Sequence, residues 1–316
     1  MAAQAPATPA PVSRLGRRKK KPLTERARAE RKLAYMLCAP AVLAMLVVTG
    51  YPIGYAIFLS LQRYDLRFPD EREFVGLSNY TEVLTSSTWW LDFTNTVIIM
   101  GFSVAIEFVL GMAVALIMHR AIWGRGPVRA SILIPYGIVT VVAAFAWRFA
   151  FDPTAGFVAG LGPISETWAP LTERAGSFFV IIMTEVWKTT PFMALLLLAG
   201  LALVPDEMHE AAKVDGASAV QRFFRITLPL MKPAILVALL FRALDAFRVF
   251  DSVFIITAGA NDTETVSILG YNQLINRVNL GLGSAVSVLI FVCVIIIAVV
   301  FIKGLGATTA QQGDDR

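Results

Sequence analysis

The sequence has few of the residues that carry metal, redox or thiol chemistry. It contains two cysteines and two histidines in 316 residues. Cys38 and Cys293 both fall inside apolar runs, so we predict no disulfide framework. His119 and His209 are isolated, and no cysteine–histidine cluster has the spacing of a zinc site. We interpret both histidines as ordinary residues near the membrane surface and predict neither a metal site nor a cofactor.

The chain also lacks a phosphate-binding loop. No glycine is followed directly by lysine anywhere in the sequence, and the loop G-x-x-x-x-G-K-[S/T] requires that pair. We therefore predict that the chain is not an enzyme and cannot be an ATPase of this kind. If ATP drives its activity, the nucleotide site belongs to another polypeptide.

Charged residues are scarce as well. They make up 16% of the chain, whereas hydrophobic residues make up 56% and the mean hydropathy is +0.65. A soluble domain is about 45–50% apolar, and the excess here lies in runs long enough to cross a bilayer. These features predict an all-α integral membrane protein. Most of the net charge of +5 comes from residues 17–21, a basic block that we interpret as a membrane orientation signal and not a nucleic-acid-binding patch.

Six apolar runs predict six transmembrane helices. Each is long enough to cross roughly 30 Å of hydrocarbon at about 1.5 Å per residue. We expect the first to be kinked by Pro40, Pro52 and Gly54, and the fourth to be bent or locally unwound at Pro191. The predicted spans are 33–60, 94–118, 128–150, 177–203, 233–257 and 282–303.

The spans divide the chain into three parts. Residues 1–32 are predicted as a basic cytoplasmic tail, disordered to about residue 24, with a surface helix; 33–304 as the membrane domain; and 305–316 as a cytoplasmic tail. Basic residues concentrate in the first tail and in the 119–127 and 204–232 connections, which places both termini in the cytoplasm. Three tryptophans are expected in an outer interfacial belt: Trp89, Trp90 and Trp168.

One connection is polar and basic although long apolar runs flank it. We call residues 204–232 the hook. It is predicted to contain a helix over Asp206–Val214, a break at Gly216, where glycine permits the left-handed conformation, and a second amphipathic helix ending at Pro229. A rigid bent element of this kind is suited to docking in a groove on another protein.

The residue pattern of the hook resembles a known motif. It is similar to the EAA loop of permease subunits of bacterial ABC importers. The matching residues are Glu210-Ala211-Ala212, then Gly216 after three residues, Ile226 after nine more, and Leu228-Pro229 after one more. The resemblance implies six transmembrane helices in the type I importer permease fold, with an EAA coupling-helix loop that docks on an ATPase. The implied coupling residues are Glu210, Ala211, Ala212, Asp215, Gly216, Ile226, Leu228 and Pro229.

Further stretches resemble the sugar permeases of the same family. Phe74–Tyr80 is similar to their F-x-G-L-x-N-Y segment, and Asn95-Thr96 opens the second span where their core region begins, here about 93–304. The resemblance implies four kinds of partner besides the lipid bilayer: a second, related permease subunit, a cytoplasmic ATPase dimer, an extracytoplasmic sugar-binding lipoprotein, and a disaccharide substrate.

Several charged residues fall at membrane depth, where they usually face a partner or a water-filled cavity. Glu107 lies near the middle of the second span, and Lys188 lies inside the fourth beside Glu185. Arg242, Asp245, Arg248 and Asp251 follow one another at i, i+3 spacing along the fifth. This ladder has two interpretations that stay open: Asp245 bridges Arg242 and Arg248 to stabilise the helices, or the set lines a polar pathway for sugar hydroxyls.

In sugar permeases of this type, substrate contacts lie in the two spans that flank the hook. We therefore list as pathway candidates Glu107, Trp187, Lys188, Thr189, Thr190, Arg242, Asp245, Ala246, Arg248 and Val249, with Phe247 and Phe250 as flat apolar faces. The family usually has uncharged polar residues at these positions, so the charges depart from its pattern. A second departure is Gly259-Ala260-Asn261, where the family has Gly-Gly-Pro.

Five stretches resemble trehalose-importer permeases of the mycobacterial type: 51–55, 106–111, 133–142, 185–193 and 267–271. The resemblance implies trehalose as the substrate. Maltose-like oligosaccharides and glycerol phosphate are the alternatives, and a phosphate would favour Arg242 and Arg248. Two other classes are less consistent with the sequence. A secondary transporter normally shows paired repeats, and a membrane enzyme or scaffold would need a catalytic cluster or a large soluble domain.

Overall fold

The structure, a computed structural model, describes residues 25–120, 125–160 and 169–304. Residues up to Gly54 and residues from Tyr55 onward form two compact units, which are described separately. The helices are α1 (Glu25–Met45), α2 (Tyr51–Ser60), α3 (Ser78–Thr85), α4 (Ser87–Arg120), α5 (Arg125–Gly137), α6 (Thr140–Ala150), α7 (Arg174–Leu201), α8 (Asp206–Val214), α9 (Ala219–Arg222), α10 (Leu228–Leu230), α11 (Lys232–Ala246), α12 (Asp251–Ile256), α13 (Val266–Tyr271) and α14 (Leu280–Val299).

Shorter elements connect these helices. Wide π-helical turns occur at Leu46–Gly50, Phe223–Thr227, Asn272–Asn276 and Val300–Gly304, and 3₁₀ turns at Pro69–Glu71, Phe157–Gly160 and Pro170–Thr172. Strands β1 (Gln62–Arg63) and β2 (Glu73–Phe74) pair antiparallel. The predicted tails at 1–24 and 305–316, and Trp168, lie outside the described residues.

Four helices in the described ranges are long and apolar enough to cross a membrane by themselves: Ala29–Ser60, Ser87–His119, Arg174–Leu201 and Leu280–Gly304. Two bent pairs raise the number to six if each pair is one span: Ala130–Gly137 with Thr140–Ala150, at 92°, and Ala219–Leu230 with Lys232–Ala246, at 69°. The predicted third and fifth spans are therefore wrong as unbroken helices. In the fifth, α11 ends at Ala246 and α12 begins only at Asp251.

The predicted disruption at Pro191 is also wrong in part, because α7 stays helical through this proline. A proline inside a transmembrane helix is tolerated where nearby threonine hydroxyls bond backbone groups. Thr189 and Thr190 donate to the carbonyls of Glu185 and Val186 at 2.6 Å in each case. In the first span, Pro40 lies inside α1, and a π-helical turn separates α1 from α2.

The tryptophans before the second span differ from each other. Trp90 is exposed, as an interfacial residue would be, whereas Trp89 is only 2% exposed. The Trp89 ring lies 6.3 Å from the ring of Phe93, which in turn lies 6.0 Å from that of Phe247. Trp89 therefore belongs to a buried cluster that includes Val83, Phe247 and Val266, and its predicted place in the interfacial belt is wrong.

The Phe74–Tyr80 segment stabilises the β1–β2 hairpin through side-chain hydrogen bonds. The Asn79 amide donates to the carbonyls of Ser60 and Gln62, at 2.8 Å each. The Tyr80 hydroxyl hydrogen-bonds the Ser60 hydroxyl at 2.5 Å. Gly76 has a left-handed backbone with φ of +58°, which glycine adopts without strain. The segment thus joins the end of α2 to α3.

Asn95 and Thr96 are buried at the start of the second span and hold the turn after α12. Asn95 donates to the carbonyls of Asp262 and Glu264 at 2.9 and 2.8 Å. The Val266 amide donates to the Thr96 hydroxyl at 3.1 Å. These two side chains replace backbone pairing for a turn whose path is otherwise irregular.

Helices α4 and α7 pack closely at Gly111. A Cβ atom at this position would lie 2.8 Å from Met193 Cγ, which is closer than packed carbon atoms approach. Met112 and Ala115 on α4 continue the contact with Met193 and Leu197 on α7. Small residues allow such close approach between membrane helices, so these two helices form one packed unit.

Candidate functional site

Arg242 on α11 binds three carboxylates from three different helices. Its Nε donates to Glu107 Oε2 on α4 at 2.5 Å, and its Nη2 donates to Glu107 Oε1 and to Glu185 Oε2 on α7, both at 2.9 Å. Its Nη1 donates to Asp245 Oδ2 on its own helix at 2.7 Å. Most of the guanidinium donors are therefore bound within the protein.

The centre of this arrangement is closed to solvent. Arg242 is 1% exposed and Glu107 is 0% exposed, while the Asp245 side chain is 66% exposed. The Thr189 hydroxyl also donates to Glu107 Oε1, at 2.7 Å. A buried ion pair requires such full pairing, and loss of one partner destabilises a protein by about 3–5 kcal/mol. Glu107 and Arg242 thus present no surface to a ligand.

Glu185 extends the network across the break in the fifth span. Its Oε2 accepts from Arg242 on α11, and its Oε1 accepts the hydroxyl of Ser252 on α12 at 2.6 Å. One carboxylate therefore contacts both halves of the broken segment. We call this set the Arg242 cluster; it consists of Glu107, Glu185, Thr189, Arg242, Asp245 and Ser252.

A cavity of about 450 Å³ lies beside the Arg242 cluster. Both helix breaks contribute to its wall, since Tyr136 and Thr140 flank the α5–α6 break, and Val249 and Phe250 lie in the α11–α12 break. Irregular backbone at membrane depth is tolerated where it is buried in protein or lines a water-filled space. The lining residues are Tyr136, Thr140, Glu185, Lys188, Thr189, Asp245, Arg248, Val249, Phe250, Asp251 and Ser252.

Charged side chains of both signs line this cavity, with Glu185, Asp245 and Asp251 acidic and Lys188 and Arg248 basic. Asp245, Arg248 and Asp251 are exposed, and Lys188 is half-buried with its Nζ 5.6 Å from the centre of the Tyr136 ring. Carboxylates accept hydrogen bonds, and the two cations donate them. The wall therefore suits a neutral ligand with many hydrogen-bonding groups better than an ion of one sign.

The ten predicted pathway residues fall into three groups. Those that line the cavity are Lys188, Thr189, Asp245, Arg248 and Val249. Those that are buried and do not reach it are Glu107, Arg242 and Ala246. Trp187 and Thr190 line a different, apolar groove of about 490 Å³ between α4, α5 and α7. Of the two predicted flat faces, Phe250 lines the cavity, while Phe247 is 1% exposed and lies in the core.

The predicted charge ladder is not carried by one helix. Arg242 and Asp245 do pair, as the structural interpretation expects. Arg248 does not continue the series, because residues 247–250 leave the helix. Its Nε donates to the Leu244 carbonyl at 3.2 Å, and it makes no ion pair within the described ranges. The helix break therefore separates Arg248 from the buried pair and leaves it at the cavity.

Sequence reasoning missed Tyr136, Thr140 and Ser252 as cavity residues and did not assign a role to Glu185. The sequence does contain a signal for Tyr136 and Thr140. Together with Gly137 they interrupt an apolar run, which indicates a possible break in the helix. Ser252 gave none, because a single serine in an apolar segment is too common to indicate a site.

The first half of the hook agrees with its predicted bounds. Helix α8 covers Asp206–Val214, and Gly216 has φ of +78°. The Gly216 amide donates to the Lys213 carbonyl at 3.0 Å, and the Ala217 amide donates to the Ala212 carbonyl at 2.9 Å. This pair of bonds is the Schellman ending of a helix, which requires a left-handed residue at the glycine position.

The second half of the hook begins with a capping box at Ser218. The Gln221 amide donates to the Ser218 hydroxyl at 3.3 Å, and the Ser218 amide donates to Gln221 Oε1 at 2.8 Å. The helix then widens into the π-helical turn and continues to Leu230. The predicted end at Pro229 is therefore wrong by one residue, because proline is accepted in the first turn of α10, where its missing N–H is not needed.

The hook is open to solvent on the side that carries the coupling candidates. Glu210, Ala211, Asp215, Gly216 and Pro229 are exposed, and Ala212, Ile226 and Leu228 are half-buried. Apolar side chains are exposed there too: Val214 by 88%, Val220 by 66% and Phe224 by 63%. Exposed apolar groups in a structured polar surface are typical of a contact with another protein.

Bent pairs of apolar helices beside a polar cavity, together with an exposed bent helical element, are typical of a helical membrane transport subunit. Residues 107–307 match the family model described as "Binding-protein-dependent transport system inner membrane component". The chain belongs to this family. It is a multi-pass permease subunit of an ABC importer, not an enzyme, and the ATPase of such a transporter is a separate subunit.

Relatives match most of the chain. It is 56% identical over 279 residues to the trehalose transport system permease protein SugA of Mycobacterium tuberculosis, covering 88% of this chain and 90% of that protein. It is 39% identical over 282 residues to the trehalose/maltose transport system permease protein MalF of Thermococcus litoralis, covering 87% and 94%. A chain of a bacterial ABC transporter that imports alginate has the same fold, with a TM-score of 0.76 at 21% identity, covering 90% of this chain and 100% of that chain.

Proposed function

We propose that this chain forms half of the translocation pathway of an ATP-driven trehalose importer. The observation that carries the proposal is the cavity of about 450 Å³ between the two broken helices, a size within the roughly 300–1,000 Å³ of small-molecule sites. The identity of 56% to a trehalose permease supports the choice of sugar.

The chemistry of the cavity wall fits a neutral disaccharide. Asp245 and Asp251 supply acceptors for sugar hydroxyls, and Lys188 and Arg248 supply donors. Phe250 offers a flat apolar face for a sugar ring. Water can make the same hydrogen bonds to these groups, and neutral sugars do not differ in charge. These groups therefore discriminate between sugars by the positions of the sugar hydroxyls.

The same wall argues against glycerol phosphate. A phosphate would require Arg242 and Arg248 together, but Arg242 is buried and already donates to three carboxylates. The cations that remain, Lys188 and Arg248, face Asp245 and Asp251 across the same cavity. Together with Glu185, these carboxylates would weaken the attraction between an anion and the two cations.

The proposed partners are a second, related permease, a dimer of ATPase subunits and an extracytoplasmic sugar-binding lipoprotein. The hook docks on the ATPase through its exposed face, with Glu210 as a charge partner and Gly216 as the bend. ATP binding moves the hook, and the cavity then opens to the outside. Such alternating access requires a ligand that binds the two states with different affinity.

Both termini and the hook are proposed to lie in the cytoplasm. Support comes from the basic residues of the hook and of the N-terminal segment. Near the end of α4, Leu116 and Ile117 line a small cavity with Val220 and Phe223 of the hook. With 34 residues, α4 is about 50 Å long, which is enough to cross the bilayer.

The test is a substrate panel on the complete transporter in proteoliposomes. Trehalose, maltose and glycerol phosphate are each supplied with the binding protein, and ATP hydrolysis and uptake are measured. We expect stimulation and uptake with trehalose, and we expect Arg248→Gln to reduce uptake of trehalose. Stimulation by glycerol phosphate alone would contradict the proposal, as would normal trehalose uptake by Arg248→Gln.

A further inference from the structure

The Arg242 cluster connects the two halves of the broken fifth span to the rest of the bundle. Arg242 and Asp245 belong to α11, and Ser252 belongs to α12. Glu185 on α7 accepts from both sides of the break, from Arg242 at 2.9 Å and from Ser252 at 2.6 Å. A single carboxylate therefore bonds both halves of the broken segment.

Glu107 holds the other side of the guanidinium. It accepts from two nitrogens of Arg242 and from the hydroxyl of Thr189. Neither Glu107 nor Arg242 reaches the cavity. They can influence a ligand through Thr189, Glu185 and Asp245, which bond them and do line it.

We propose that Glu107, Arg242 and Glu185 are positioning residues for transport. They hold α11 and α12 at the spacing in which Asp245 and residues 249–252 face one cavity. This inference rests on the proposed function of that cavity. It differs from both interpretations of the sequence, since the buried charges neither contact the sugar nor merely join helices.

The geometry favours this role over simple cross-linking of helices. A structural pair between α4 and α11 would need only Glu107 and Arg242. Here Arg242 also bonds Glu185 and Asp245, both of which line the cavity, and the second oxygen of Glu185 bonds Ser252 beyond the break. A buried network with all of its bonds satisfied fixes one arrangement of the groups that it joins.

The chain offers a matched pair of serines for the first test. Ser252 and Ser103 are both 0% exposed. The Ser252 hydroxyl donates to Glu185, whereas the Ser103 hydroxyl has no hydrogen-bond partner among the described residues. Ser252→Ala and Ser103→Ala therefore remove the same atom, but only the first removes a bond of the cluster.

Both variants are measured in the complete complex in proteoliposomes. The readouts are the amount of assembled complex, the ATPase rate stimulated by trehalose-loaded binding protein, and the trehalose delivered per ATP hydrolysed. We expect Ser252→Ala to lower the delivery per ATP by about tenfold, as for loss of one bond to a charged group, while the amount of assembled complex stays the same. We expect Ser103→Ala to change none of them. Equal delivery by the two variants would overturn the proposal.

Because Ser252 itself lines the cavity, a second test uses residues that do not. Glu107→Gln and Arg242→Gln are made singly and together. Arg242→Gln leaves Glu107 and Glu185 buried without their cation, and Glu107→Gln removes the carboxylate that accepts two of the bonds that Arg242 makes; we expect less assembled complex from each. The double variant removes the charges at 107 and 242 but still leaves Glu185 without its cation, and we expect assembly to recover in part. Delivery per ATP should stay low, because glutamine is too short to reach Glu185 and Asp245 together from position 242.

Two outcomes separate this inference from the function on which it rests. If the double variant restores delivery as well as assembly while Arg248→Gln impairs uptake, the cavity is the sugar site and the positioning role is wrong. If Arg248→Gln leaves uptake unchanged, the proposed function fails, and this inference fails with it.

Discussion

The hook and the Arg242 cluster both depend on a few particular side chains, but they are built over very different distances in the chain. In the hook, Ser218 and Gln221 are three residues apart, and Gly216 acts on its immediate neighbours. In the cluster, Arg242 binds Glu107 across 135 positions. Local backbone rules are therefore enough for the first, whereas the second exists only when four helices pack together.

The largest expected effect is on the cluster. Arg242→Ala leaves the carboxylates of Glu107 and Glu185 buried without their main partner. We expect a loss of about 3–5 kcal/mol of stability and little assembled complex. Fluorescence-detected size exclusion at increasing temperature measures this. Arg248→Ala is the control, because Arg248 is exposed and makes no ion pair in the described ranges; equal loss in both would show that the buried pairing is unimportant.

The hook is broken most directly by Gly216→Pro. Proline fixes φ near −65°, whereas Gly216 needs φ of +78° and donates its amide to Lys213. We expect the subunit to insert normally but to lose ATPase binding and uptake. Co-purification of the ATPase with the tagged permease measures the effect.

Gly76→Pro is the matched control for the hook. Gly76 also has a left-handed backbone, with φ of +58°, and no atom within 4 Å of its Cβ direction. It lies outside the hook, so the variant should retain the ATPase. Loss of the ATPase in both variants would mean that the effect is general misfolding.

A smaller effect is expected at the exposed member of the cluster. Asp245→Asn keeps an acceptor for Arg242 but removes a charge from the cavity wall. Because the Asp245 side chain is 66% exposed, we expect a change in stability of only about 0–1 kcal/mol together with a fall in trehalose uptake of about tenfold. Initial uptake rates measure this, with Asp70→Asn in the outer loop as control. Disassembly of the complex would instead support a purely structural role.

The smallest effect is expected at the cap of the second hook helix. Ser218→Ala removes the acceptor for the Gln221 amide, and loss of such a cap costs about 1 kcal/mol. Amide hydrogen exchange in α9 should become faster while uptake falls only slightly. Gln221→Glu keeps both bonds of the capping box and should exchange like the unchanged protein. Unchanged exchange in Ser218→Ala would show that the neighbouring π-helical turn determines the stability of α9.

The sequence was informative wherever the cause was local. Gly216 set the bend of the hook, and the bounds of α8 follow from its own residues. The ending at Pro229 was misjudged because a proline that stops one helix can begin the next. The apolar runs gave the helical class and the approximate positions of the spans, since hydropathy needs no knowledge of neighbours.

The breaks and the partners of buried charges could not be found in the same way. Residues 247–250 are as apolar as the helix around them except for Arg248, so no composition change marks where α11 ends. Glu107 and Arg242 were recognised as unusual, but their burial depends on α7 packing against both α4 and α11, which no spacing in the sequence reveals. Trp187 and Thr190 were predicted to line the pathway but line the apolar groove instead. The sequence does not show which face of α7 meets which neighbouring helix.

The two helix breaks beside the cavity have a consequence for recognition of a ligand. Each break ends one helix and begins another, and the first and last turns of a helix leave some peptide groups without partners inside it. At the α11–α12 break, Arg248 and Val249 donate their amides to the carbonyls of Asp245 and Ala246, so part of the main chain is already paired there. We expect the peptide groups left over beside the cavity to hydrogen-bond whatever fills it. Main chain as well as side chains would then contribute to the recognition of a polar ligand.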